Sequence, residues 1–230
     1  MELGQALRST GAVRSFRSGP VSDEVVRRVL DTARFAPSGG NRQGWRVVVV
    51  KDPRARQSLQ EIYLEAWYEY LAIRSAGLVP WAAITDLDAE QSSLAQARRF
   101  RAEADPKGFA ETLATVPVLL LVLADLRALA SVDRDLPRYT FAGGASIYPF
   151  VWNILLAART EGLGGVITTV PVRREMALRE LFGIPLEMAV AALVAMGEPE
   201  RLTTRLSRHE VDEFTTIDRL DGPTLPPGKG

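Results

Sequence analysis

The segment Ala36-Pro37-Ser38-Gly39-Gly40-Asn41-Arg42-Gln43-Gly44-Trp45-Arg46-Val47-Val48-Val49-Val50 joins a helical pattern to a strand pattern. Upstream of it, residues 22–36 place Val25, Val26, Val29, Leu30 and Ala33 on one stripe. Ser22 stands as N-cap, Asp23 and Glu24 fall in the first turn and Pro37 is the stop, which predicts an amphipathic helix. Downstream, Trp45 to Val50 is a β-branched run, short enough for a strand and apolar enough to be covered on both faces. The loop between them is therefore tightly framed. Gly39 and Gly40 let the backbone approach a ligand closely, while Ser38, Asn41 and Gln43 offer donors and acceptors without charge. Such groups suit a flat heterocycle edged with carbonyl and ring-nitrogen acceptors. They equally suit a plain helix-to-strand turn, the commoner use of this composition.

Working outward, residues 53–74 and 89–104 read as helices, and the irregular stretch from Gly77 to Asp88, with Pro80 and Trp81, is a candidate lid between them. Val116 to Ala124 and Ala189 to Met196 read as buried strands. Ser146 to Glu161 predicts a helix that is apolar on nearly every side, and so one that needs partners all round. The centre of a subunit and a subunit interface both satisfy that need. Strands alternating with helices argue for layered α and β structure, with residues 1–219 as a single domain. The Pro- and Gly-rich tail, 220–230, is expected to be loosely ordered.

Composition narrows the chemistry. The chain has 230 residues, 47% of them hydrophobic, enough for one well-buried core. Its 28 basic and 28 acidic side chains cancel, so the broad positive field of a nucleic-acid or anionic-membrane binder is absent and any anion site is local. With no cysteine, thiolate catalysis, iron–sulfur clusters and Cys-ligated zinc are excluded, and one histidine, His209, cannot make a His-rich metal centre. The first 17 residues lack a continuous apolar run and a small-residue cleavage site, which points to the cytoplasm. Gly143, Gly144, Pro149 and Asn153 break up the most apolar stretch, Phe141 to Ala158, which reads as a buried helix rather than a membrane span.

Two further segments carry candidate chemistry. Gly162-Leu163-Gly164-Gly165-Val166-Ile167-Thr168-Thr169-Val170-Pro171 follows a helix rather than a strand, so it is no dinucleotide fingerprint, and a helix C-cap accounts for its first glycine. Arg14 near one end, with Arg201, Arg205 and Arg208 near the other, would bind a phosphate dianion if two or three of them converged. His209 has no nucleophile motif beside it, and Asp86, Asp88 and Glu111 lie in polar stretches that read as solvated charge. There is no Walker-type loop.

In order along the chain, these pieces resemble the FMN-dependent nitroreductase family. Ala12-Val13-Arg14-Ser15-Phe16 followed by Pro20-Val21 is similar to the family's N-terminal pattern, and Ala36 to Trp45 resembles its A-P-S-x-x-N-x-Q-P-W signature. Asn153 to Thr169 resembles its N-x-x-L-A-A-x-x-x-G-L-G block, and Ile184-Pro185 and Met196-Gly197-Glu198-Pro199 resemble its later landmarks. The resemblance runs from Ala12 to Phe214. It implies an α+β fold of three layers, a mainly antiparallel sheet between helices, in an intertwined homodimer with FMN at the subunit interface.

By position, the resemblance would set Arg14 on the FMN phosphate, joined by Arg208 and Arg205. Pro37, Ser38, Gly39, Asn41 and Gln43 would reach the flavin from the partner subunit, and Ile167, Thr168 and Thr169 would line the isoalloxazine, with a backbone N–H near Thr169 donating to N5. The implied activity is hydride transfer from NAD(P)H through flavin N5 to a small acceptor such as a nitroaromatic or quinone, with no side-chain acid and no metal. The alternative is a flavin-binding carrier, sensor or flavin-processing relative with little NAD(P)H turnover. It is favoured by departures in the phosphate clamp: Thr10 stands where the family has arginine and Ala12 where it has serine. Gly44 and Glu210 also stand where prolines are usual.

Overall fold

The computed structural model describes residues 2–202 and 205–226; Met1, residues 203–204 and the end of the tail, 227–230, lie outside it. In chain order the elements are α1 (Leu3–Ser9), α2 (Asp23–Ala33), β1 (Trp45–Val49), α3 (Pro53–Ser75), α4 (Leu87–Ser93), α5 (Ala97–Ala102), β2 (Val118–Asp125), α6 (Tyr148–Thr160), β3 (Gly164–Thr168), α7 (Glu175–Phe182) and β4 (Met188–Gly197). The strands form one antiparallel sheet in the order β1-β2-β4-β3. The fold is α+β, three layers with helices on both faces.

Alternation along the two central strands sorts the core. Val118, Leu120, Val122 and Ala124 of β2 face α2 and α6, while Leu119, Leu121 and Leu123 face α3 and α7. β4 does the same with Ala192, Val194 and Met196 against Leu193 and Ala195. Its even-numbered Val190 nonetheless lies with the odd set, because a register shift at Val122/Leu123 inserts one extra residue into β4.

Local signals account for most helix ends. The Ser22 side chain accepts from Val25 N–H, as its position suggested, and Asp52 accepts from Ala55 N–H at 2.8 Å to start α3 with Pro53 in its first turn. Gly162, at φ +77°, ends α6 in the left-handed conformation, and Leu163 N–H returns to Ala158 O at 2.9 Å.

β1 lies at the edge of the sheet, yet both its faces pack on core: Trp45 is buried against Phe150, with half-buried Val47 and Val49 on the α2 and α6 side, and half-buried Val48 lies on the α3 and α7 side. A run of valines has the same pattern at an edge as at a centre. The helix expected over 89–104 divides into α4, a 3-10 turn at Leu94–Gln96 and α5, where Ser93 turns its hydroxyl back onto Glu90 O at 2.7 Å. β3 lies in the glycine-rich stretch after α6, to which the sequence reading assigned no strand. Residues 216–224, which run into the start of the tail, fold back on themselves through a Thr216–Thr224 bridge. No helix among the described residues is long and apolar enough to cross a membrane.

Candidate functional site

β3 leaves the sheet at Thr168, on the face covered by α3. The sequence of α3 sets Tyr63, Trp67 and Tyr70 at spacings of four and three, one helical face. Their rings continue one another: Tyr63 and Trp67 have centroids 6.1 Å apart, Trp67 and Tyr70 stack at 5.1 Å, and Trp81 follows at 6.0 Å. Phe109 meets Tyr63 edge-on at 6.3 Å. At the inner end the Tyr63 hydroxyl meets Thr168 Oγ1 at 3.2 Å.

The outer end of this wall is the candidate lid. Trp81 has φ +55°, a strained value for a large side chain, and its N–H donates to the Glu90 carboxylate at 3.2 Å. The Arg173 guanidinium lies 5.2 Å from the Trp81 ring centroid, and Arg174 beside it is fastened to Glu65 and Glu69 of α3. The segment is thus tied down at Trp81 by one acid and one arginine.

Arg14 approaches from the other side. It is near enough to the Tyr63 phenol to favour its ionised form, although burial dominates and pushes that phenol up. Arg14 also lines a cavity of about 380 Å³ with Phe16, Lys107, Thr112, Thr115 and Glu200. Nothing in the residue pattern singles out Lys107. It lies 93 positions from Arg14 in the chain, and only the packing of the 103–117 connection against the N-terminal strand-like segment unites them. The aromatic face of α3 was the one signal that could have pointed here.

The loop from Pro37 to Gly44 gathers elsewhere. Gly40, Asn41 and Gln43 all take left-handed φ values, +60°, +53° and +50°. Ser38 Oγ accepts from Gln43 N–H at 3.0 Å, the Gln43 amide donates to Asn41 Oδ1 at 3.2 Å, and Gly39 N–H donates to Ser146 Oγ at 3.0 Å. Two non-glycine residues held left-handed by such bonds mark a loop built for more than reversal. Gly44 is buried, with Ala128 Cβ only 2.9 Å from where a side chain would begin, so the proline usual in the resembled motif has no room here.

That loop leans on the 126–146 connection, which is knotted around buried Asp133. The Thr140 hydroxyl, the Phe141 N–H, the Arg138 guanidinium and the Ala142 N–H hold its carboxyl well below the usual carboxylate range against the opposing effect of burial. A lowered folded value means that this carboxylate stabilises the fold above about pH 4 and loses that effect as pH falls toward the folded value. Asp133→Asn is expected to lower the melting temperature by several degrees at pH 7 and to reduce the parent's loss of stability between pH 4 and pH 2. Thermal unfolding across that range checks both.

The structure thus brings Thr168 and Tyr63 into contact and sets Arg14 in the neighbouring cavity with Lys107, with Ile167 half-buried and Thr169 exposed at the strand end. Within one chain it does not bring Pro37, Ser38, Gly39, Asn41 or Gln43 to them; Pro37, Gly39, Asn41 and Gln43 are exposed. Arg205 and Arg208 are exposed on the C-terminal arm, where Arg208 donates to Ser207 O. The departures have structural uses. Thr10 is buried and donates to Ala6 O at 2.7 Å to close α1, and Ala12 bridges to Gly165. The Glu210 N–H donates to Glu213 at 2.8 Å in a reciprocal cap, a bond that proline could not make.

Comparison with known proteins places this geometry. The family model for the nitroreductase family matches residues 7–198, and the chain belongs to that family. It is 30% identical over 193 residues to an NADH dehydrogenase of Thermus thermophilus, covering 82% of each chain. It is 29% identical over 215 residues to iodotyrosine deiodinase 1 of Rattus norvegicus, covering 93% of this chain and 68% of that one. A crystal structure of oxidised iodotyrosine deiodinase bound to FMN and 3-iodo-L-tyrosine shares the fold at a TM-score of 0.63 and 22% identity, with 91% of this chain and 96% of the other aligned.

Proposed function

We propose that the protein is an FMN-dependent oxidoreductase, acting as a homodimer, that passes hydride from NAD(P)H to a small aromatic or quinone acceptor. The observation that carries this reading is the cavity that Arg14 and Lys107 line together, with Arg14 within electrostatic reach of the Tyr63 phenol, which in turn touches Thr168 at the end of β3. Cations at one end suit a phosphate dianion, and hydroxyls with aromatic faces at the other suit a planar ring. The donor set therefore fits FMN. Arg14 and Lys107 would hold the phosphate, with Arg205 and Arg208 joining from the C-terminal arm, and Ile167, Thr168 and Thr169 would line the ring. When bound, the flavin supplies the hydride chemistry at N5. The chain's own contribution is orientation and exclusion of water: Trp67, Tyr70, Trp81 and Phe109 form an aromatic wall beside the ring, and no side chain is required to move a proton. That wall favours flat acceptors.

The homodimer reading rests on unfinished surface. The chain exposes 14646 Å², whereas a compact monomer of 25.2 kDa exposes about 10,300 Å². The excess on one subunit is more than half of a large obligate homodimer interface, which counts area from both subunits, so it leaves ample surface for one. α6 leaves Tyr148, Trp152 and Leu156, four residues apart, less covered than the rest of its surface. A partner at this face would supply its Pro37, Ser38, Gly39, Asn41 and Gln43 to the first subunit's flavin.

The protein is expected to purify yellow with about one FMN per subunit and to oxidise NAD(P)H when given nitrobenzene, a quinone or 3-iodo-L-tyrosine, the preferred acceptor being the one with the highest kcat/KM. A protein that gains no flavin absorbance on titration with FMN would remove the reading. One that holds FMN but leaves NAD(P)H unoxidised would be a flavin carrier instead.

A further inference from the structure

Tyr63 is 2% exposed, and its hydroxyl has a single hydrogen-bond partner among the described residues, Thr168 Oγ1 at 3.2 Å. A buried phenol must place its proton on an acceptor, and burial keeps this one protonated. Tyr63 is therefore the donor of the pair. The Val170 N–H points at the same oxygen from 3.4 Å. A threonine oxygen has two acceptor positions, and here both are taken. What Thr168 has left to offer is its own proton.

We infer that Tyr63 is a positioning residue that fixes the Thr168 hydroxyl as a one-way hydrogen-bond donor toward the N5 edge of the flavin ring. The inference rests on the flavin reading above and adds a direction to it. In the oxidised flavin N5 is an acceptor, and after reduction it carries hydrogen and becomes a donor. A threonine with a free acceptor position could serve both states by turning its hydroxyl. With both positions held by Tyr63 and Val170, Thr168 serves the oxidised state alone. The pair thus favours oxidised flavin and lowers the reduction potential of the bound cofactor, and it does so without Tyr63 touching the ring.

The test is a double-mutant cycle on the potential of bound FMN, read by equilibration with a reference dye, with FMN affinity followed by fluorescence titration. Tyr63→Phe keeps the ring and its packing while freeing one acceptor position on Thr168. It is expected to cut the preference for oxidised over reduced flavin about tenfold, a rise of about 30 mV for a two-electron couple. Thr168→Val removes the donor and is expected to raise the potential by at least as much. In the Thr168→Val background, Tyr63→Phe should then change nothing further.

An unchanged potential in FMN-loaded Tyr63→Phe would overturn the inference, as would full additivity of the two substitutions, which is what separate packing effects would produce. If Tyr63→Phe does not fold, Thr168→Val decides alone, an unchanged potential in that variant being fatal. A parent protein that binds no FMN overturns the flavin reading itself and the inference with it. A parent that binds FMN while the variants keep its potential overturns the inference about Tyr63 and Thr168 and leaves the flavin reading standing.

Discussion

Arg14→Ala is expected to weaken FMN about a hundredfold while leaving riboflavin within about twofold of the parent. An FMN phosphate carries close to two negative charges near neutral pH and needs charge-assisted donors once it leaves water. Removing one partner of a desolvated ion pair costs on the order of 3 to 5 kcal/mol, and each 1.36 kcal/mol is tenfold in affinity. The lower end applies because Arg14 is exposed in the single chain and solvent screens part of the effect. Two residues that commonly share this load in the family do not: Thr10 is committed to closing α1 and Ala12 has no polar side chain. Lys107→Ala should cost less, about tenfold, since an ammonium on a flexible stem is a point charge rather than a two-pronged donor. Arg208→Ala should approach the Arg14 effect if the C-terminal arm delivers it to the phosphate, and Arg201→Ala should matter little. Flavin fluorescence titrations of each variant with both ligands at matched ionic strength measure all of this. Equal FMN affinity in parent, Arg14→Ala and Arg208→Ala would mean that the phosphate lies elsewhere.

The second large effect concerns stability. Gly165→Val is expected to lower the melting temperature by about 10 °C, from an overpacking cost near 3 kcal/mol at about 2 to 4 °C per kcal/mol for a chain of this size. A side chain beginning at Gly165 would stand 2.8 Å from the Ala195 carbonyl oxygen, 2.9 Å from Leu155 and 3.0 Å from Met196. Leu155 has a flexible end and could yield, but the Ala195 oxygen belongs to the central strand β4 and cannot move without disturbing the ladder. Because β3 carries Thr168, the displaced strand should also bind FMN more weakly, so flavin release and unfolding should shift together in a thermal scan. Gly162→Ala makes a useful contrast. Nothing lies near its side-chain position, and its cost is that of a left-handed φ alone, about 1 kcal/mol. Similar losses from both substitutions would show that the glycine block serves only to end α6.

Local patterns in the chain were enough for elements whose stability is local. The stripe Val25 to Ala33 with Ser22 before it specifies α2, and the short, nearly uncharged apolar runs of β2 and β4 point to buried strands because they are too short for a typical buried helix. The loop from Pro37 to Gly44 was legible only as a turn, with a ligand loop as the less common reading; the left-handed φ values of Gly40, Asn41 and Gln43 came from the structure. Arg14, Ser38, Asn41 and Thr168 came from motifs whose order along the chain is that of the family.

Tertiary structure decided the rest. Gly164 and Gly165 gave no strand signal, since strand propensity measures how side chains pack on a pleated surface and these two have none to pack. They form β3 because Val13, Leu155 and Ala195 need to approach its backbone closely. Likewise nothing in the valine run of β1 says whether a neighbour will cover it; the strand order does. The site itself is the clearest case. Arg14, Tyr63, Lys107 and Thr168 are separated by dozens of residues, and no periodicity relates them. Sequence by itself determined the α+β class, the family and the candidate residue types. Which of those residues meet was left to the folded chain, because a charge or hydroxyl gains its meaning from neighbours that only long-range packing supplies.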